Sequence, residues 1–253
     1  MTTQNRSKTV LTLAIRSLAP LALLAAAFIA GPTQAASIGV DFVSKSPGGT
    51  MGPADTAGVI SQANWTTVVP GATLDLKDSD GNPTTMDITA TTQQGVFQVT
   101  NAFTAPDILM MRDGLFRNSP GVSITVDLAE IPYNQYDLYV YLGHDGTSSG
   151  RLGSVTTDNS GTTYFYRNGS SLNSYVQATE TGSSAASVAS NYALFEGLTG
   201  SNLKITATAE AVQVFITGFQ VVDAAQIPEP STLVLAVLGL CGLISCGRRR
   251  RQR

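Results

Sequence analysis

The chain has 253 residues, with 15 basic and 18 acidic side chains, a formal net charge of −3, one histidine and two cysteines. One histidine excludes a metal site built from several histidines. Both cysteines, Cys241 and Cys246, lie near the C-terminus, which leaves the rest of the chain without an internal disulfide or thiolate chemistry. Residues 36–226 hold 17 acidic and seven basic side chains, a net charge of about −10, which excludes nucleic acid binding through the phosphate backbone.

Residues 1–35 have the pattern of a secretory signal peptide. Basic side chains open the segment, an uncharged and mostly apolar run follows at 18–30, and small residues stand at the cleavage positions within 33–35. The apolar run is shorter than the roughly 20 residues of a membrane span, which favours a cleaved signal over a retained anchor. We therefore expect an exported domain to begin at residue 36.

The exported region, residues 36–226, shows the two-residue period of β-strands. Residues 121–128 alternate without error, which places Val122, Ile124, Val126 and Leu128 on one face. Further strands are predicted at residues 38–42, 138–142, 203–207 and 212–222, the last with a bulge at Gly218, and a hairpin turn at 158–161. The run at 138–142 is apolar on both faces, as expected of a central strand between two layers.

Helical periodicity is nearly missing from this region, and only residues 185–192 could hold a short helix. Many short strands separated by Gly-rich turns predict an all-β fold, an antiparallel β-sandwich formed by a single domain at 36–226.

Three stretches of the domain resemble the galactose-binding-like jelly roll, the fold of many carbohydrate-binding modules. They are residues 57–65, 136–143 and 216–222. The resemblance implies a jelly-roll-like sandwich and, as one function, binding of an extracellular polysaccharide.

Four residues are candidates for contact with a sugar: Asn64, Trp65, Tyr139 and Tyr141. An aromatic face can stack on a sugar ring while a neighbouring polar side chain binds hydroxyl groups. The alternative is that Trp65, the chain's one tryptophan, packs in or near the core. An exposed aromatic in a concave face would favour binding, and a buried Trp65 would favour a structural role.

Two other motifs have the outline of a functional site. Asp78, Asp80 and Asn82 surround a glycine, as calcium loops do, but Pro83 and Thr89 stand where an EF-hand requires Gly and Glu, so we expect a solvated turn. Residues 146–150 match the Gly-x-Ser-x-Gly pattern of a nucleophile elbow, yet no helical period follows and the one histidine precedes the serine. We therefore predict no enzyme activity, no metal and no cofactor.

The last 27 residues, 227–253, form a tail in three parts. Pro228-Glu229-Pro230 is a stiff, extended motif because each proline fixes its own φ. An apolar run at 232–246 predicts one transmembrane helix, and Arg248, Arg249, Arg250 and Arg251 hold its end on the cytoplasmic side.

This tail resembles the PEP-CTERM sorting signal of bacterial envelope proteins. The resemblance implies that an exosortase reads the tail and cuts it near the motif. The alternative is a plain C-terminal anchor with a proline-containing linker. The resemblance implies a precursor anchored in the inner membrane and then sorted to the outer envelope or extracellular matrix. We expect an exported structural or adhesive surface component; the alternative is a carbohydrate-binding module for extracellular polysaccharide.

Overall fold

The computed structural model describes residues 35–43, 50–91, 96–99, 101–143 and 150–226. Within these ranges lie thirteen strands: Ser37–Phe42 (β1), Thr66–Val68 (β2), Gly71–Thr73 (β3), Asp87–Thr91 (β4), Val96–Gln98 (β5), Asp113–Arg117 (β6), Ser123–Ala129 (β7), Gln135–Gly143 (β8), Leu152–Thr157 (β9), Thr163–Arg167 (β10), Tyr192–Thr199 (β11), Leu203–Ala211 (β12) and Val214–Asp223 (β13). One short α-helix, Asp107–Met110 (α1), and 3₁₀ turns at Ser184–Ala186 and Ala224–Gln226 complete these elements.

The strands form two sheets. Sheet I has the order β11-β8-β13-β1-β2, and β6, itself paired with β5, joins the same edge of β13 as β1. Sheet II has the order β10-β9-β12-β7-β4-β3. Every described pairing of strands is antiparallel except β1 with β2. The predicted all-β sandwich is therefore confirmed.

The main core lies between the two sheets, where alternate residues of facing strands meet. Strand β7 buries Ile124, Val126 and Leu128, as its alternation predicts, and β12 contributes every second residue from Leu203 to Ala209. Burying each large side chain of this kind contributes about 1.5–3 kcal/mol to the free energy of folding.

A second apolar cluster covers the outer face of sheet I. Along β8, Leu138, Val140 and Leu142 belong to the main core, whereas Tyr139 and Tyr141 point to the other side. Segments within residues 50–65 and 101–111, including α1, pack on this outer face. Strand β8 is thus buried on both faces, which confirms its prediction as a central strand.

The bulge at Gly218 and the short helix within residues 185–192 have different outcomes in the structure. The bulge at Gly218 is confirmed, because the register between β13 and β8 shifts between Ile216 and Gly218. The short helix that residues 185–192 could have held does not form: a single 3₁₀ turn lies at Ser184–Ala186, and the chain is already extended at Ser187. The Arg167 side chain donates to the Ser187 and Ala185 carbonyls, at 3.0 and 3.2 Å, which satisfies backbone groups that a longer helix would have to bond.

Candidate functional site

The motifs of both termini lie outside the described residues. This holds for residues 1–34 of the signal segment, for Pro228-Glu229-Pro230 and for the arginines that follow, and also for His144 and most of the Gly-x-Ser-x-Gly stretch. In the part of the chain that the structure describes, no helix has the length and apolarity needed to cross a membrane.

The predicted sugar-binding aromatics do not form an open platform. Trp65 is 6% exposed, Tyr139 7% and Tyr141 0%, because segment 50–65 and helix α1 cover the outer face of sheet I. Trp65 packs edge-on against Tyr141 with ring centroids 6.1 Å apart. The rings instead pack within the fold, and Tyr139 lies against Tyr192 with ring centroids 6.2 Å apart.

Asn64 is also engaged within the fold. It has a φ of 55°, so it is not in a strand, and its side-chain Nδ2 donates to the Ser79 carbonyl at 2.9 Å. This bond ties the segment that carries Trp65 to the turn that begins at Asp78. Trp65 therefore packs near the core, which is the alternative to an exposed sugar-binding ring.

A hydrogen-bond network holds the covering segment on sheet I. The Tyr141 hydroxyl donates to the Gln220 side-chain carbonyl and accepts from the Val59 amide at 2.8 Å. Gln220 Nε2 in turn donates to the Ile60 carbonyl and to Gln62 Oε1, both at 2.7 Å. Because buried polar groups are costly when unpaired, this mutual satisfaction makes the outer layer specific in its register.

Burial governs the ionisation of these tyrosines. It raises the pKa of Tyr139 to about 12, with smaller contributions from Asp137, Tyr192 and Glu196, and it raises the pKa of Tyr141 well above its ordinary value. Both phenols are therefore neutral at physiological pH, with no tendency to act as nucleophiles or bases.

The Asp78 loop is a hydrogen-bonded turn. The Asp78 carboxylate accepts from the backbone amides of Asp80 and Asn82 at 3.0 and 2.8 Å, and its second oxygen accepts from the Asn82 side chain at 3.3 Å. Among the described residues, no group of three or more His, Cys, Asp or Glu side chains is arranged to hold a metal ion.

Two buried carboxyl groups were not predicted from the sequence. Asp41 in β1 is fully buried and neither of its carboxylate oxygens has a hydrogen-bond partner among the described residues, while Asp113 in β6 is 3% exposed. Burial raises the pKa of Asp41 well above its ordinary value, Asp113 adds to the rise, and the Met51 backbone amide opposes it. The sequence signal is a single acid inside an apolar strand, at residues 38–42.

A concave cleft opens between β10 and β11, which are the edge strands of the two sheets on the same side of the sandwich. This edge cleft has a volume of about 340 Å³ and is lined by Asn159, Ser160, Tyr164, Phe195, Glu196 and Gly197, among others. The Tyr164 ring meets Phe195 edge-on at 5.1 Å. The volume lies at the lower end of the range for small-molecule sites, about 300–1,000 Å³.

A β-bulge shapes one wall of the edge cleft. The register of β11 against β8 shifts between Phe195 and Leu198, so Glu196 and Gly197 protrude as exposed residues. Gly197 has a φ of 66°, which favours glycine, and its amide donates to Asp137 Oδ1 at 2.8 Å. The sequence carries a signal for this bulge, because the buried apolar positions change from a spacing of two to a spacing of three at Phe195.

The comparisons with known proteins concern the tail. No curated protein matches the chain. The family model of the PEP-CTERM protein-sorting motif matches residues 226–251. Such a motif marks a secreted, membrane-anchored precursor that an exosortase processes and that is sorted to the cell envelope. Residues 226–251 of this chain are therefore a PEP-CTERM protein-sorting motif, joined to the end of a β-sandwich.

Proposed function

We propose that the chain is a non-catalytic structural or adhesive component of the cell surface, delivered by its tail to the outer envelope or the extracellular matrix. The observation that carries this proposal is the sorting motif at residues 226–251, which begins three residues after the end of β13 at Asp223. In this proposal residues 1–35 are removed as a signal peptide, and the exported domain is 36–226.

The polar network under the outer layer supports a structural role for the domain. Its buried side chains, Tyr141, Gln220 and Gln62, bond to one another and to backbone groups. Groups that satisfy each other in this way hold a surface in a fixed shape, as a surface component requires.

We propose further that the sandwich is of the jelly-roll, galactose-binding-like type. The three resembling stretches lie together: 136–143 falls in β8, 216–222 falls in the adjacent β13, and 57–65 packs over both. The Tyr141–Gln220–Gln62 bonds connect one residue from each stretch. This contact supports a shared structural unit, whereas the alternative function of carbohydrate binding draws its support from the edge cleft.

The sorting step is tested by Glu229→Ala, which removes the one charge of the motif and leaves the apolar run unchanged. We expect the variant to stay in the inner membrane with its tail uncut, whereas wild type is shortened and released. The mass and the membrane fraction of the mature protein measure both effects. Glu130→Ala, an exposed acid in the domain, is the matched control. Normal shortening and release of Glu229→Ala would show that the motif is only a linker.

A further inference from the structure

The edge cleft combines an aromatic ring and a carboxylate, two kinds of group that bind uncharged sugars. One wall carries the partly exposed Tyr164 ring, fixed by its contact with Phe195. The opposite wall carries the Glu196 carboxylate, which the bulge of β11 directs outward and which has no hydrogen bond or ion pair to another described residue. Bulges of this kind often re-aim a side chain for binding.

The acidic side chains around the edge cleft restrict the class of ligand that it can bind. Glu196 and Asp158 are exposed acids beside the cleft, and Asp137 lies behind it as the acceptor for the Gly197 amide. The nearby acids repel uronates and sulfated sugars, while carboxylate and amide oxygens accept hydrogen bonds from hydroxyl groups.

We propose that the edge cleft binds a hydroxyl-rich, uncharged oligosaccharide, with the Tyr164 ring against a sugar face and the Glu196 carboxylate bonded to its hydroxyl groups. This site specifies a class of ligand for the proposed adhesive role. The inference therefore rests on the adhesive part of the proposed function and does not depend on sorting. It differs in place from the Trp65 region, which the fold covers.

The test uses the full chain purified in detergent and two sets of probes, linear neutral oligosaccharides of glucose, mannose or galactose and oligomers of uronic acids. We expect binding to at least one neutral probe and none to the uronates. Glu196→Gln should weaken that binding about tenfold, because a charge-assisted hydrogen bond becomes a neutral one. Tyr164→Leu should weaken it about threefold to tenfold through loss of the ring face, and Glu130→Gln should leave it unchanged.

The melting temperature of Glu196→Gln without ligand separates binding from folding. Because Glu196 is exposed, this variant should lose affinity while its melting temperature stays that of wild type. Absence of binding to every neutral probe, preference for uronates, or equal affinity of wild type, Glu196→Gln and Tyr164→Leu would each overturn the proposal. Sorting measured with Glu229→Ala would remain valid in all three cases.

Discussion

At the scale of single residues, the Tyr141 hydroxyl connects strand β8 to the segment that covers it. It donates to Gln220 and accepts from the Val59 amide. Tyr141→Phe removes both bonds and leaves two buried groups unpaired, so we expect the free energy of unfolding to fall by about 1–3 kcal/mol. Denaturant unfolding measures this change.

The matched control for Tyr141 lies on the same strand. Tyr136 is equally buried, but its hydroxyl lacks a partner among the described residues. Tyr136→Phe should therefore leave stability unchanged or raise it. Equal losses in the two variants would mean that the Tyr141 hydrogen bonds contribute nothing beyond ring packing.

A second prediction at this scale concerns pH and Asp41. Its pKa is raised in the folded state by burial and by Asp113, so its contribution to stability is full below its unfolded pKa, about 3.9, and is lost as pH rises through the folded value. We expect Asp41→Asn to remove this loss. Melting temperatures of wild type and variant across about pH 4 to 9 should diverge as pH rises, with the variant the more stable. Parallel curves would show that Asp41 is ionised in the fold at no cost.

At the scale of elements, β1 depends on close approach to the segment packed over it. A methyl group built on Gly39 would overlap the Gln62 amide and lie 2.8 Å from Trp65 Cε3. Gly39→Ala should therefore cost about 1–3 kcal/mol through overpacking. Ser37→Ala is the control on the same face of the strand, because the Ser37 hydroxyl is buried without a partner among the described residues and its loss should not destabilise. Thermal melts of both variants test the contrast.

The sequence predicts the strands in which the pattern of apolar residues reflects the faces that are buried. Strand β7 alternates because one face meets the core, and β8 is apolar on both faces because a second layer covers sheet I. That second layer could not be predicted, since it comes from irregular segments at 50–65 and 101–111, which have no period. For the same reason Trp65 gave no sign of its burial, because an aromatic residue in an irregular segment suits a ligand surface and a covering layer equally.

The tail and the edge cleft also differ in how far the sequence predicts them. The tail is visible in the sequence because its motif, apolar run and arginines are contiguous. The edge cleft joins the β9–β10 turn to β11. These segments are more than 30 residues apart and belong to different sheets, so only the packing of the two sheets brings them together. The pair of Asp41 and Asp113 likewise depends on β1 and β6 sharing one edge of β13.

At the scale of the whole molecule, residues 36–226 contain no cysteine. A thiol reductant should therefore leave the melting temperature of the domain unchanged, because no disulfide constrains its unfolded state. Scans of the full chain with and without reductant test this. A clear decrease would mean that an intermolecular link through Cys241 or Cys246 stabilises the protein.

The pairing of the first and last strands of the domain shows which residues the domain needs. Strands β1 and β13 pair with Ser37 opposite Val222, and the Asp223 amide donates to the Ala36 carbonyl at 2.9 Å. The first and last strands therefore complete each other inside sheet I, and residues 35–225 form one compact unit.

We therefore expect a chain of residues 36–226 to be soluble and to unfold in one cooperative transition, as measured by circular dichroism at rising temperature. A chain of residues 36–217 is the control: it lacks the part of β13 that pairs with β1, so sheet I loses its central ladder and the product should not fold. The two results together locate the end of the folding unit between Thr217 and Gln226. Aggregation of the 36–226 chain, with recovery only when residues 227–253 are restored, would instead show that the tail belongs to the folded domain and is more than a sorting signal.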